Sequence, residues 1–295
     1  MKRTIACWIE AMRLRTLPVS LSGVIYAAGL GVVALRFRVL PLVLCLLFAL
    51  LAQIASNFAN EYFDFKAGLD KAGREGPRRG VTEGDISPRA MLTATLATLG
   101  VACVIGIVLV ALYGEWWMYL VGVLTALGVL AYSTGPYPLS HHGLGELAVV
   151  CFFGVVPVCL TFMLMGGPWE WWLLAASIGI GLMGANVLVV NNYRDIADDK
   201  AVGKRTLAVR LGRRLTANIY LANGFIAALL TLPEWVATTR FGCWVPVIYA
   251  VIHIGLFLKL RSNEGRKLNP LLGMTACLML AYCLAFFLTA LFTFL

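Results

Sequence analysis

The sequence predicts an all-α integral membrane protein with nine transmembrane helices. Hydrophobic side chains make up 60% of the 295 residues and charged ones 13%, which leaves too little polar surface to cover a water-soluble fold. Apolar runs of about 17–25 residues recur, the length at which a helix crosses a bilayer with its backbone hydrogen bonds satisfied. The nine runs are Leu17–Leu35, Val39–Phe58, Met91–Leu112, Met118–Tyr132, Leu144–Met165, Trp172–Val190, Thr216–Leu232, Cys243–Leu260 and Pro270–Leu295.

Basic residues are concentrated in the loops on one side of the predicted bundle. Four segments hold 21 of the 24 Lys and Arg residues: 1–16, 59–91, 194–215 and 259–268. The positive-inside rule places these segments and the N-terminus in the cytoplasm, and the C-terminus on the opposite side. The net charge of +9 therefore reports topology, and we expect no nucleic-acid partner because the motifs of such proteins are missing. Glu10, Arg13 and Arg15 interrupt the first apolar stretch, so the first helix is expected to be retained rather than cleaved as a leader.

Two acidic segments rich in asparagine, Asn57–Asp70 and Asn191–Thr206, stand where an apolar run breaks into a charged loop. Carboxylates this close to hydrocarbon are costly unless they are hydrated, paired or bound to metal. Residues three or four apart share a helix face, so each segment presents a ridge of oxygen donors. Such donors suit Mg²⁺, which binds one or two carboxylates together with phosphate oxygens and water. The predicted metal ligands are Asn60, Glu61, Asp64 and Asp70 in the first segment and Asn191, Asp195, Asp198 and Asp199 in the second.

Lysine and arginine residues lie within or directly after each acidic segment. Cationic side chains and metal ions together stabilise the charge that grows on a departing diphosphate, whereas a simple cation store has no use for such bases. A diphosphate role is favoured for Arg78, Lys204 and Arg205, against the alternative of solvated loop charges. The bases are Lys66, Lys71, Arg74, Arg78 and Arg79 in or after the first segment and Lys200, Lys204 and Arg205 in the second.

The spacing of the acidic segments suggests how the chain is organised. Four predicted helices separate them, and an even number returns both segments to the cytoplasmic side. This pattern suggests an internal duplication of two four-helix units, about 17–134 and 144–260, followed by a last helix at 270–295. We treat residues 1–295 as a single domain, because no loop is long enough to fold separately. The three histidines, His141, His142 and His253, are expected to have ordinary polar roles.

These motifs resemble those of the UbiA superfamily of intramembrane aromatic prenyltransferases. The first segment reads N-x-x-N-E-x-x-D-x-x-x-G-x-D from Asn57 to Asp70, and the second reads N-N-x-R-D-x-x-x-D-x-x-x-G-K-R-T from Asn191 to Thr206. Arg13–Pro18 resembles the family's opening segment, and Tyr132–Pro136 with Gly143–Glu146 resembles its central loop. Within the superfamily, the resemblance is to the branch that prenylates 1,4-dihydroxy-2-naphthoate.

The resemblance implies a fold and a reaction. The fold is nine transmembrane helices around a central cavity, capped by cytoplasmic loops after helices 2 and 6, in the inner membrane of a bacterial cell. The reaction transfers a polyprenyl group from a polyprenyl diphosphate, held by two Mg²⁺ ions, to 1,4-dihydroxy-2-naphthoate. Diphosphate and CO₂ leave, and the product is demethylmenaquinol. Membrane lipid surrounds the site.

The resemblance also implies roles for individual residues. Arg13 and Arg15 are candidates to pair with the naphthoate carboxylate, with topology charges as the alternative. Tyr132 is a candidate for cation–π contact with the allylic cation, worth about 1–2 kcal/mol if desolvated. The implied catalytic residues are Asp64, Asp195, Lys204 and Arg205, and the implied substrate-binding residues are Asn57, Arg78, Lys200, Arg13, Arg15 and Tyr132.

Three alternatives remain open at this stage. A prenyltransferase that uses another aromatic acceptor, such as 4-hydroxybenzoate, a homogentisate-like ring or protohaem, differs in its product. A cation transporter also carries acidic side chains in apolar helices, but near the bilayer midplane on broken helices rather than at helix ends beside Lys and Arg. A non-catalytic lipid- or quinone-binding scaffold has no use for two acidic segments.

Overall fold

The computed structural model describes residues 2–70 and 75–294, with side chains from Ile5 onward. Throughout this part of the chain the regular structure is helical. A π-helical turn at Val150–Val155 joins α6 to α7 as one rod, and short 3-10 turns precede α2 and α12. The helices are α1 (Lys2–Met12), α2 (Leu17–Val33), α3 (Val39–Lys66), α4 (Pro88–Tyr113), α5 (Trp116–Ala131), α6 (Gly145–Val149), α7 (Val156–Leu164), α8 (Trp171–Arg194), α9 (Ile196–Ala201), α10 (Leu207–Thr238), α11 (Trp244–Ser262) and α12 (Asn269–Phe294).

The chain is an integral membrane protein. Within the described residues, eight helical stretches are long and apolar enough to cross a membrane: Ile5–Val33, Val39–Lys66, Pro88–Tyr113, Gly145–Leu164, Trp171–Arg194, Leu207–Thr238, Trp244–Ser262 and Gly265–Phe294. The remaining predicted span, Met118–Tyr132, corresponds to α5, whose 16 residues fall short of the about 20 that a full crossing needs. A ninth crossing by α5 therefore stays a prediction, as does the duplication of two four-helix units.

α3 and α8 extend beyond their predicted apolar runs, and the extensions hold the acidic segments. The runs end at Phe58 and Val190, yet α3 continues to Lys66 and α8 to Arg194. Hydropathy underestimates these helices because their last turns bury polar side chains that find partners inside the protein; Asp64, for example, is only 1% exposed. The acidic ridges therefore project from the C-terminal turns of two long helices.

The N-terminal helix α1 was not predicted from the sequence. It packs Cys7 and Ala11 into a small cluster with Phe58 of α3, while Ile5 and Ile9 remain exposed. One face of α1 therefore joins the bundle and the other stays on the surface. A stretch this short has too few apolar residues to be recognised as a membrane span.

α8 is the central helix of the bundle. It packs against α10, α12 and the π-helical turn. Small residues allow this close approach: a Cβ added to Gly154 would lie 2.4 Å from Gly181 Cα and 2.5 Å from Ser177 O. Small residues at such contacts are typical of helix packing in membranes, where close van der Waals contact replaces the hydrophobic effect.

We expect Gly154→Ala to lower the melting temperature of the detergent-solubilised protein. The new methyl group would meet backbone atoms of α8 that cannot rotate away, and overpacking of this kind costs about 1–3 kcal/mol. Gly100→Ala is the matched control, because a Cβ at Gly100 in α4 meets no atom within 4 Å. Thermal unfolding followed by size-exclusion chromatography compares the two variants. Equal melting temperatures would contradict the close contact between α8 and the π-helical turn.

Candidate active site

Both acidic ridges face one cavity of about 540 Å³. Asp64 lies in the last turn of α3, and Asp195 directly follows α8. The last carbonyl groups of a helix carry partial negative charge, so these two helix ends attract cations even before the carboxylates are counted. Side chains with oxygen atoms that can bind a metal line the cavity from both helix ends and from α9: Asn60, Asp64, Asn191, Asp195 and Asp199. The structure thus brings together side chains that are more than 120 residues apart in the chain.

Asp64 is the centre of a charged network between the two ridges. Its Oδ2 accepts a hydrogen bond from Lys204 Nζ at 2.9 Å, and its Oδ1 lies 3.3 Å from His141 Nε2. Arg79 Nη2 lies 4.0 Å from the same Oδ2. Charge-assisted contacts between buried groups are stronger than those in water. Asp64 therefore holds the loop after α9 and the loop after α5 at the end of α3.

Arg194 holds the second ridge in place. Its Nε and Nη2 each donate to one oxygen of Asp195 at 2.7 Å, and Nη2 also donates to Asn191 Oδ1 at 2.7 Å. Nη1 donates to Asn269 Oδ1 at the start of α12, at 2.8 Å. The planar guanidinium matches a carboxylate with two parallel hydrogen bonds. This single buried side chain therefore fixes the direction of Asp195 and connects α8 to α12.

Two further arginines converge on Asn60. Arg13 Nη2 donates to Asn60 Oδ1 at 2.5 Å and Arg79 Nη2 donates to the same oxygen at 3.0 Å, while Asn60 Nδ2 donates to Ser133 Oγ at 3.1 Å. Arg13 has a left-handed backbone with φ 52°, a conformation that costs non-glycine residues free energy and is retained where it positions a functional group. The turn after α1 thus delivers a guanidinium to the end of α3.

The cavity carries a surplus of positive charge. Its acidic side chains are Glu10, Asp64, Asp195 and Asp199. Its cationic side chains are Arg13, Arg15, Arg78, Arg79, Arg194 and Lys204. Guanidinium and ammonium groups donate hydrogen bonds and accept none, so the cavity suits a ligand with several anionic oxygens.

The side-chain oxygens of this cavity suit a metal ion whose coordination is completed by the oxygens of a bound phosphate. Among the described residues, no group of three or more His, Cys, Asp or Glu side chains lies close enough to enclose a metal ion. The carboxylates of Asp64 and Asp195 are instead paired with Lys204 and Arg194. Mg²⁺ commonly takes one or two carboxylates and completes its shell with water and substrate oxygens. Donors from two facing helix ends suit that manner of binding, and they do not suit an ion held by protein alone.

A second cavity of about 540 Å³ adjoins the first and is almost entirely apolar. Leu, Val, Phe and other apolar residues of α3, α4, α5 and the α6–α7 rod form its walls. Five residues line both cavities: Gln53, Ser56, Tyr132, Val149 and Phe153. A charged chamber and a hydrocarbon chamber therefore meet at the aromatic ring of Tyr132.

The sequence profile of the UbiA prenyltransferase family matches residues 16–278. The chain belongs to the UbiA prenyltransferase family. It is 36% identical to a 1,4-dihydroxy-2-naphthoate octaprenyltransferase of Mycobacterium tuberculosis over 95% of each chain. It is also 33% identical to the enzyme of the same name from Haemophilus influenzae over 92% of each chain, and 34% identical to that of Escherichia coli over 76% of each. The superfamily predicted from the motifs is confirmed, and the protein is a prenyltransferase of the UbiA type.

Solved UbiA structures have the same fold. A UbiA homolog from Archaeoglobus fulgidus bound to DMAPP and Mg²⁺ superposes with a TM-score of 0.68 at 16% identity, covering 95% of this chain and 98% of that one. The apo structure of a UbiA homolog from Aeropyrum pernix K1 also gives 0.68, at 17% identity, over 95% and 97% of the two chains. At this level of identity the likeness concerns the arrangement of helices. The all-helical membrane fold predicted from the sequence is confirmed to that extent.

Most residues predicted for the UbiA site line the charged cavity. Five do not: Glu61, Asp70, Asp198, Lys200 and Arg205. Those that do are Arg13, Arg15, Asn57, Asn60, Asp64, Arg78, Tyr132, Asn191, Asp195, Asp199 and Lys204. Lys71 and Arg74, two of the predicted bases, lie outside the described residues.

The acidic residues outside the cavity hold loops. Glu61 Oε1 accepts a hydrogen bond from Val81 N at 3.0 Å, and Asp198 Oδ2 accepts one from Glu75 N at 3.1 Å. Asp70 Oδ2 lies 3.4 Å from Arg79 Nε. These contacts fold the loop after α3 over the cavity and attach it to α9. Their metal-binding roles stay predictions.

The other two predicted residues outside the charged cavity are cationic side chains on the surface. Lys200 and Arg205 both have exposed side chains, although the Arg205 backbone N–H donates to His141 O at 2.8 Å. Their roles in catalysis and substrate binding also stay predictions.

The sequence does not predict the roles of three residues of the site. Helix periodicity does not pair Arg194 with its neighbour Asp195, because residues one apart do not face each other. Arg79 is expected only as one of the loop bases, and His141 only in an ordinary polar role. Only the fold brings Arg79 and His141 to Asp64, because they come from separate loops.

Proposed function

We propose that this protein transfers a polyprenyl group from a polyprenyl diphosphate to 1,4-dihydroxy-2-naphthoate, with loss of CO₂ and diphosphate, to give demethylmenaquinol. The observation that carries the proposal is the pair of adjoining cavities, one lined by cations and carboxylates and the other by hydrocarbon. A polyprenyl diphosphate has these same two parts. The names of the relatives, 1,4-dihydroxy-2-naphthoate octaprenyltransferases, support the choice of acceptor.

The diphosphate would bind between the two acidic helix ends. Lys204, Arg78 and Arg205 are proposed to bind its oxygens, with Arg79 and Lys200 beside them. Mg²⁺, of which two ions are proposed, supplies positive charge that stabilises the departing diphosphate. The proposed metal ligands are Asn60, Glu61, Asp64, Asp70, Asn191, Asp195, Asp198 and Asp199. A UbiA homolog solved with DMAPP and Mg²⁺ supports the use of a divalent metal.

The polyprenyl chain would extend into the apolar cavity. Loss of diphosphate leaves an allylic cation at the junction of the two cavities, where Tyr132 presents its ring. Cation–π contact there contributes about 1–2 kcal/mol when water is excluded. Apolar walls keep water from the cation, which hydrolysis would otherwise consume.

The acceptor would enter the charged cavity from the side of α1. Arg13 and Arg15 are proposed to pair with its carboxylate, and Asn57 supports this wall through its hydrogen bond to Met12 O at 2.9 Å. Ring attack on the cation then places the prenyl group where CO₂ leaves. The proposal puts this site and the N-terminus on the cytoplasmic side of the bacterial inner membrane, in contact with lipid, because most Lys and Arg residues lie at that end.

Product mass spectrometry tests the proposal. Purified protein in lipid is supplied with 1,4-dihydroxy-2-naphthoate and a polyprenyl diphosphate, with Mg²⁺ or with EDTA. The expected product is a prenylated naphthoquinol without the carboxyl group, formed with Mg²⁺ and absent with EDTA. A product formed only from 4-hydroxybenzoate or another ring would refute the proposal that 1,4-dihydroxy-2-naphthoate is the acceptor. Equal turnover with EDTA would refute the proposed dependence on Mg²⁺.

Filling the apolar cavity should reduce activity on long prenyl donors more than on short ones. Gly122 of α5 lines that cavity, and a Cβ there meets no atom within 4 Å. Gly122→Leu is therefore expected to lower kcat/KM for an octaprenyl diphosphate about tenfold while geranyl diphosphate is used nearly as before. Gly100→Leu, outside both cavities, is the control. Parallel losses with both donors would argue against a prenyl chain in this cavity.

A further inference from the structure

We infer that Asn192, oriented by Glu146, forms a subsite that accepts a hydrogen bond from a hydroxyl group of the aromatic acceptor. The inference rests on the proposed function and specifies how the aromatic acceptor is recognised. Asn192 lies in the last turn of α8 and Glu146 in the first turn of α6.

Glu146 is buried directly behind the wall of the charged cavity. It is 9% exposed and does not line the cavity, whereas Asn192, 8% exposed, does. Asn192 Nδ2 donates to Glu146 Oε1 at 2.8 Å. The other carboxylate oxygen, Oε2, is buried and has no hydrogen-bond partner among the described residues. Through Oε1, Glu146 is therefore joined to a side chain of the cavity wall.

The carboxylate decides which way the Asn192 amide points. Glu146 Oε1 accepts the hydrogen bond from the NH₂ group of Asn192, so this side of the amide faces the carboxylate. The amide oxygen, Oδ1, is thereby left on the other side, and within residues 2–70 and 75–294 no hydrogen bond to it is formed. Asn192 therefore offers an acceptor to a ligand in the cavity.

A hydrogen-bond acceptor at Asn192 can select for a hydroxyl group because of the side chains around it. The cationic side chains of the cavity can only donate, and they recognise the diphosphate and carboxylate oxygens. A hydroxyl group on an aromatic ring needs an acceptor for its hydrogen. The first turn of α6 also lies beside the junction of the two cavities, since a Cβ at Gly145 would be 3.6 Å from Tyr132 Oη. The subsite is thus close to the place where ring and prenyl group would meet.

The fold makes Glu146 a positioning residue and Asn192 the residue that touches the ring hydroxyl. A site built to bind a hydroxyl discriminates against the analogue that lacks it, since its polar group is then left unpaired. We therefore expect the wild-type protein to prefer 1,4-dihydroxy-2-naphthoate strongly over derivatives in which one hydroxyl is methylated. Loss of the subsite should reduce this preference toward unity for one of the two methyl ethers.

The test compares steady-state kinetics of Glu146→Gln, Asn192→Ala and wild-type protein in lipid, with the naphthoate and both mono-methyl ethers as acceptors. Glutamine keeps the size of Glu146 but can donate as well as accept, so the Asn192 amide loses its fixed direction. For both variants we expect KM for the naphthoate to rise about tenfold and KM for the prenyl diphosphate to stay unchanged. Glu234→Gln is the control, since Glu234 is equally buried at 8% exposure and lines neither cavity.

The outcomes separate this inference from the proposed function. Wild-type protein that prenylates no hydroxylated ring refutes the proposed function itself. Wild-type activity combined with an unchanged hydroxyl preference in both variants refutes only the subsite. A parallel rise in KM for both substrates would show that the substitutions disturb the second acidic segment as a whole, and it would equally overturn the subsite. If Glu146→Gln does not fold, Asn192→Ala alone decides, because its smaller side chain leaves Glu146 in place.

Discussion

Asp64→Asn is expected to lower kcat/KM for prenyl transfer by about 10³-fold, the loss found when a group that stabilises transition-state charge is removed. This corresponds to about 4 kcal/mol of transition-state stabilisation. Asp64 is 1% exposed and contacts Lys204 at 2.9 Å and His141 at 3.3 Å. Asparagine fills the same space without the negative charge. Lys204 and Arg79 then lose their shared partner, and the end of α3 loses a proposed metal ligand.

The control for this variant is Glu83→Gln, which removes an acidic group from the exposed surface of the loop after α3. We expect its activity to equal that of the wild-type protein. Product formation is measured by mass spectrometry, and folding is checked by the melting temperature. An Asp64→Asn protein that retains more than about a tenth of wild-type activity would show that Asp64 has only a structural role.

Arg194→Lys is expected to lower kcat/KM by about 10²-fold and to reduce the melting temperature as well. Lysine keeps the charge but cannot give the two parallel hydrogen bonds that Arg194 gives Asp195, nor reach Asn269 at the same time. The freed donors and acceptors are buried, and each unpaired polar group costs about 1–3 kcal/mol. Asp195 then loses its fixed direction toward the cavity.

Arg214→Lys makes the same chemical change on the exposed side of α10 and should alter neither activity nor stability. Measuring activity and melting temperature together distinguishes a role of Arg194 in positioning Asp195 from a role in stability alone. Full activity in Arg194→Lys, at a temperature where the protein stays folded, would mean that the bidentate pair does not position Asp195.

The sequence predicted the site where its pattern is local. Asn60 and Asp64 are four residues apart on one helix, and Asp195, directly after α8, is four residues from Asn191, so helical spacing places each pair on one ridge. The two ridges were also expected to lie on the same side of the membrane. Both ridges do line one cavity. The span boundaries were less accurate, because hydropathy stops where α3 and α8 begin to bury polar residues.

The parts that could not be predicted depend on contacts between distant segments. The contact between His141 and Asp64 joins residues 77 apart, and that between Glu75 and Asp198 joins residues 123 apart. No periodicity in the sequence indicates such a pairing. Helix α1 was missed for another reason: its apolar residues are divided between a packed face and an exposed one, and their continuous run, Ile5–Ile9, is too short to be recognised as a span.

The ion pairs of the site have a consequence for which lipids it admits. Lys204 on Asp64 and Arg194 on Asp195 act as internal counter-ions, which keep buried carboxylates close to electroneutral beside the bilayer. Separating such a pair is unfavourable unless another anion takes up the released cation. A prenyl diphosphate brings that anion, whereas neutral isoprenoids and quinones of the same length do not. On the proposed function, membrane lipids with the same tail therefore leave the pairs closed, and the donor is selected by the charge of its head group more than by its hydrocarbon.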